Sequence, residues 1–181
     1  MNDIDRFASS LLEEAKRFLE RAKEARGDDA ETPNLHAALM LAFCSLEAHL
    51  NAVADEFSNR SDLSVHERAV LLERDVHLRD GTFQMSPNLR MASMEDRIEL
   101  LHGKFSKSGG LDLKAAWRSK LSGAIDLRNK LTHPKVIPII TIAAVERAIE
   151  AVIETISALF VALYDRQMPA ANLGLSSTLD F

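Results

Sequence analysis

The run Leu35, Leu39, Ala42, Leu46, Leu50, Val53 and Phe57 constrains this chain more than any other feature. Steps of three and four put all seven side chains on one stripe of an α-helix, whereas a strand would scatter them over both faces. A helix that long with one apolar stripe has to lay it against other helices. The partners are written in the same period. Ile4, Phe7, Leu11, Ala15, Phe18 and Ala22 predict a helix over 3–26, with Glu13 and Arg17 paired outside. Met94, Ile98, Leu101 and Phe105 predict one from Ser93, and Val145, Ile149, Val152, Ile156, Phe160 and Leu163 one from Thr141 to about Arg166. With seven Gly, five Pro and 6% aromatic residues, little is left to build a β-sandwich or barrel. The expected fold is all-α, an up-and-down bundle of four to five main helices.

The breaks between helices are also legible. Gly27 and Asp28-Asp29 predict a stop and a loop, and Thr32-Pro33 a cap followed by a first-turn proline, so the second helix is expected over 33–58. Ser64 to Glu67 is a capping box opening a short helix through about Arg74. Val76, Leu78, Phe83 and Met85 then alternate around Asp80-Gly81, a hairpin-turn pair, which predicts a small insertion near 76–86. A loop is expected over Ser106–Gly110, and an extended apolar connection over Val136–Ile140. On the last helix a second apolar flank, with Ile153 and Leu159, is wide enough to serve both a core and a partner. Residues 1–167 read as a single domain, because 181 residues are too few for two good cores, and 168–181 as a tail, docked or disordered.

One stretch breaks the pattern that the others keep: Asp126 to Lys135, Asp-Leu-Arg-Asn-Lys-Leu-Thr-His-Pro-Lys. On a helix beginning near Asp112, the residues Trp117, Leu121, Ala124 and Leu131 share a face with Arg128 near its centre. A guanidinium cannot shed its charge, and sinking it in an apolar stripe costs several kcal/mol, of order 3–5, unless an anion or a water-filled seam receives it. Pro134 disfavours helical geometry at His133, so the helix is expected to end around Thr132. An exit turn there can bring the imidazole back toward Arg128, which an unbroken helix would hold about 140° away. A fixed cation and a group of the kind that titrates near neutrality would then face one phosphate.

The distribution of charge points the same way. The chain carries a net −5, yet residues 104–135 hold eight basic side chains against Asp112 and Asp126, a local +6 that leaves −11 elsewhere. The bland alternative is a solvated, lysine-rich helix face. Lys120, Lys130 and Lys135 are the candidates for gripping a polyanion. The single Cys44 excludes an internal disulfide framework, and its helical neighbours predict that it is buried. Neither a basic, apolar leader nor 18 uninterrupted apolar residues are found, so a cytoplasmic protein without membrane contact is expected.

An arginine followed five residues later by a histidine is a weak pattern: with 14 Arg and 6 His it arises about 0.5 times by chance, and Arg97 with His102 repeats it. Arg97, however, is read at the edge of its stripe and lacks both the following amide and the proline. Arg128-Asn129-Lys-Leu-Thr-His133 resembles the signature of the HEPN superfamily, an arginine, a polar residue, a short spacer and a histidine near the end of a late helix. The wider likeness spans about 33–165 and includes Ser45-Leu-Glu-Ala-His-Leu-Asn51 on a long second helix. The resemblance implies a small helical bundle that dimerises with both signatures in one cleft. It implies metal-independent cleavage of RNA, as in toxins and phage-defence proteins, with no cofactor. Arg128 and His133 would be the catalytic pair and Asn129 the polar member, with Glu47, Asn51 and Asp126 as supporting groups. Partners would be RNA, a second copy and an antitoxin protein. Members paired with a nucleotidyltransferase antitoxin carry a tyrosine two residues after the histidine; here that residue is Lys135.

The chemistry is consistent with the residues. RNA brings its own nucleophile, so a base for the 2′-hydroxyl and a cation for the charged phosphorane suffice. Three other readings stand beside it. A non-catalytic dimeric module would hold a nucleotide or an acidic partner in the arginine cleft. In a purely structural bundle, Glu47 or Glu154 would neutralise Arg128. Glu99-Leu-Leu-His102 has the spacing of a di-iron bundle ligand pair, but no second such pair exists in the chain. His49, at the border of its apolar face, reads as a packed histidine.

Overall fold

The computed structural model describes residues 3–107, 112 and 114–180. In chain order it contains α1 (Asp3–Glu24), α2 (Asp28–Ser58), α3 (Val65–Leu71), β1 (Arg74–Arg79), β2 (Thr82–Leu89), α4 (Met94–Phe105), α5 (Ala116–Thr132), α6 (Ile142–Tyr164) and a 3₁₀ turn at Pro169–Leu173. This is an all-α bundle with a two-stranded insertion.

The helices α1 and α2 are antiparallel neighbours joined by a tight turn at Gly27, whose φ of 98° is a conformation that a side chain disfavours. Ser45 Oγ braces the pair by donating to the Ala8 carbonyl at 2.7 Å. At the centre, Leu46, Leu50 and Val53 of α2 and Val152 and Ile156 of α6 are buried, and α1, α4 and α5 each pack on α6. Each such side chain contributes about 1.5–3 kcal/mol through burial. By length and composition Asp29–Ser58 is apolar enough to cross a membrane, but 61% of its apolar window is buried among the other helices. His49 is buried too, with Nδ1 2.9 Å from the Ser45 carbonyl oxygen, and burial holds its pKa below the usual value.

The insertion forms as its sequence predicts. Asp80 and Gly81 both have positive φ, 50° and 76°, as a tight two-residue hairpin turn requires. Val76 pairs with Met85 and Leu78 with Phe83, with a bulge between Arg74 and Val76. The capping box is complete, Glu67 N–H donating to Ser64 Oγ and Ser64 N–H to Glu67 Oε2. α3 nevertheless stops at Leu71 rather than near Arg74, because Glu73 takes a left-handed φ of 51° and turns the chain into β1.

Several expectations need correction. α2 begins at Asp28, so Pro33 lies inside it rather than in its first turn. The bond lost at the proline frees a carbonyl on an exposed turn that is open to water. α5 begins at Ala116, because Asp112 is engaged in a local turn in which its carboxylate accepts the Lys114 N–H and its carbonyl the Ala115 N–H. Of the loop expected over 106–110, residues 108–110 lie outside the described residues. Cys44 is exposed, not buried, because it falls on the flank of α2 left open beside α1. Ile153 and Leu159, expected on a flank open to a partner, are buried within the chain's own core. The tail docks: Ser177 and Thr178 donate backbone N–H groups to Glu20 and Glu13 at 2.8 Å, beside the buried Glu13–Lys16 pair. The Ser177 N–H holds the Glu20 carboxylate below its ordinary pKa.

Candidate active site around the end of helix α5

On α5, Leu121 and Ala124 are buried, and one turn further Arg128 is half-buried on the same side. Its guanidinium lies over the ring of Phe43 on α2, 5.4 Å from the ring centre. Around it runs a groove walled by Phe7, Leu11, Met40, Cys44 and Glu47. Among the described residues no carboxylate pairs with Arg128: Glu154 is taken by Lys120 at 2.5 Å, and Glu47 shares the groove without forming an ion pair. A cation over an aromatic ring gains about 0.5–1 kcal/mol at a partly exposed site, too little to repay full burial of a guanidinium. The arginine therefore keeps one side in the groove.

His133 caps the helix with φ −130° and ψ 57°, its N–H donating to the Asn129 carbonyl at 2.9 Å. Thr132 Oγ1 also donates back, to the Arg128 carbonyl at 3.1 Å, so the last turn is closed before Pro134 ends it. The exposed imidazole lines a second groove with Asp126, Asn129, Lys130, Lys135, Val136 and Pro138. The expectation that the exit turn folds His133 back to Arg128 is thus not met within one chain. The helix stays regular to Thr132, and the two side chains leave it on different sides.

The residues chosen from sequence therefore fall into separate groups. Arg128, Glu47 and Asn51 line the first groove. Asp126, Asn129, Lys130, His133 and Lys135 line the second. Lys120 stands apart, in a groove between α5 and α6 that it shares with Lys130 and Arg147. Arg147 was missed because it lies outside the basic segment; Phe43 was missed because only the packing of α5 on α2 reveals it.

Asn51 has a structural task. Its Oδ1 accepts from Arg97 Nη2 at 2.6 Å, and Arg97, only 2% exposed, also donates to the Leu71 carbonyl and pairs with Glu73 at 3.4 Å. Arg97 was read at the edge of its stripe, whereas α2, α3 and the hairpin close over it. Burial lowers its pKa, opposed by the carboxylates of Glu73 and Glu47. Of the proposed iron-binding pair, Glu99 is engaged by Arg118, and His102 stacks on Trp117 with ring centres 5.3 Å apart.

Comparison with protein families, characterised proteins and solved structures finds no match to this chain.

Proposed function

We propose that the chain is a metal-independent endoribonuclease of HEPN type, working as a dimer in which Arg128 of one copy and His133 of the other face one phosphodiester. The guanidinium carries this proposal: a permanent cation half-sunk among apolar side chains, with no carboxylate engaged among the described residues. An outside anion, such as the RNA backbone, would complete it.

In the reaction an imidazole takes the proton of the 2′-hydroxyl, and the 2′-oxygen attacks phosphorus. The bond from phosphorus to the 5′-oxygen breaks, and that oxygen leaves with the proton the imidazole has taken up. The products are a 2′,3′-cyclic phosphate and a 5′-hydroxyl. His133 of one copy would supply the imidazole, and Arg128 of the other would place its planar fork on the non-bridging oxygens as charge builds there. Asn129 and Asp126, beside His133, would orient the ring, while Lys130, Lys135 and Arg147 would hold flanking phosphates.

The exposed surface supports association. Val136, Ile137 and Ile139, directly after the histidine, are 79%, 94% and 90% exposed, and the Arg128 groove has the apolar walls to receive such a ridge from a second copy. A chain that cleaves cellular RNA also needs restraint, which is the ground for expecting an antitoxin-like partner and a toxin or phage-defence role in the cytoplasm. The separation of Arg128 from His133 within one chain favours a second reading, a non-catalytic dimeric module that grips a nucleotide or a protein partner without turnover.

Mixing separately purified Arg128→Ala and His133→Ala chains distinguishes the two. Random re-pairing restores one composite site in half of the dimers, so about a quarter of wild-type cleavage returns if the pair forms across the interface. No cleavage by the wild type, from a chain that dimerises and binds nucleotide, selects the non-catalytic module.

A further inference from the structure

We infer that the cavity between α4, the start of α5 and the end of α6 binds a small uncharged heteroaromatic molecule with an amide-like edge, of the nucleobase kind, held by His102 and Ser157. This site is independent of the one at Arg128, since Trp117 in its wall lies about 16 Å away along the axis of α5 at 1.5 Å per residue.

Two buried polar atoms lead to it. His102 Nε2 and Ser157 Oγ are shielded from solvent and have no hydrogen-bond partner among the described residues, and both residues line this one cavity. Elsewhere the bundle satisfies its buried polar side chains: Ser45, His49 and Thr155 all bond to backbone carbonyls. Arg17 and Arg97 also leave Nε without a partner, but each bonds through its other nitrogens. Buried polar groups without partners are rare because each forfeits its hydration for nothing in return. Neither atom opens onto the cavity as the side chains stand; a turn of the imidazole and of the hydroxyl would present both to a group that arrives from outside.

The wall also describes the occupant. At about 540 Å³ the cavity has the size of small-molecule sites in general. The His102 and Trp117 rings stack within 21° of parallel, and Val161 adds an apolar surface. Among the described lining residues there is no lysine or arginine, and Asp112 stands at the rim, so phosphates and carboxylates are disfavoured. Burial lowers the pKa of His102 and keeps the ring neutral, with one donor and one acceptor; a hydroxyl likewise gives and accepts. An N–H beside a carbonyl or ring nitrogen matches that pair, and the amides of Gln167 and Asn172 provide further contacts.

Trp117 is the only tryptophan, so its fluorescence reports on this cavity directly. The full chain is titrated with adenine, uracil, adenosine and adenosine monophosphate. Saturable quenching by at least one base or nucleoside is expected, with the monophosphate weaker than adenosine. Ser157→Ala and His102→Phe are each expected to weaken binding by about tenfold. Ser157→Ala removes a hydroxyl that bonds to none of the described residues, so its Tm stays at or above that of the wild type while affinity falls, an outcome that a merely structural serine does not produce. No saturable response from folded protein, wild-type affinity in both variants, or equal affinity for the monophosphate would overturn the inference.

Discussion

Arg128 and Phe43 join the end of α5 to α2 by setting a charge over a ring: the guanidinium carbon stands 5.4 Å from the ring centre, with no ion pair to any described residue. A cation so placed is nearly dispensable for folding. Arg128→Ala is expected to cost no more than about 1 kcal/mol in urea unfolding, the worth of a partly exposed cation–π contact. It should nevertheless abolish cleavage. Arg128→Lys should restore little, since an ammonium cannot present two parallel donors to phosphate oxygens. A loss of several kcal/mol in the alanine variant would return Arg128 to a structural role.

Arg97 should behave in the opposite way. It is almost fully buried among Asn51, the Leu71 carbonyl and Glu73, so Arg97→Ala strands those groups and should destabilise by about 3–5 kcal/mol. Arg97→Met, which keeps the stem and its packing, should lose less. Urea midpoints for the two variants measure the difference.

Mild acid should weaken the fold through two buried histidines. His49 and His102 have pKa values pushed below the ordinary 6.5 by burial. Above 6.5 neither the folded nor the unfolded chain protonates them, and they contribute nothing to pH dependence. Below it the unfolded chain takes up protons that the folded chain refuses, so stability falls, by at most about 1.4 kcal/mol per pH unit for each ring. His102→Phe should flatten the slope of unfolding free energy between pH 6.5 and the depressed folded values; an unchanged slope would show that His102 is not held neutral.

The ridge after His133 should control assembly. Ile137 is 94% exposed, so Ile137→Glu is expected to shift stability by under about 0.5 kcal/mol while converting a dimer to a monomer in sedimentation. Cleavage should disappear with the dimer. A monomeric variant with full activity would remove the need for a composite site.

The bundle was legible because its stripes repeat at helical period, and the hairpin because Asp80-Gly81 can both take positive φ. The misplaced features all depended on tertiary context. Pro33 reads as a helix start, yet an exposed turn tolerates it inside α2. Cys44 looks buried by its neighbours, but α1 leaves its flank of α2 open. Arg97 looks peripheral until α2, α3 and the hairpin close over it. At the candidate site, the helix end at Thr132 followed from Pro134, whereas the division of Arg128 and His133 between two grooves did not. Whether side chains five residues apart converge depends on which neighbouring helix each of them meets.

The most direct measurement is incubation of the purified protein with total RNA in excess EDTA, wild type beside His133→Ala, with the cleaved ends characterised. Fragments bearing 2′,3′-cyclic phosphate and 5′-hydroxyl ends should accumulate undiminished in chelator with the wild type, and be absent with the folded variant. Intact RNA with the wild type, or the same fragments from His133→Ala, would contradict the assignment of this site to RNA cleavage.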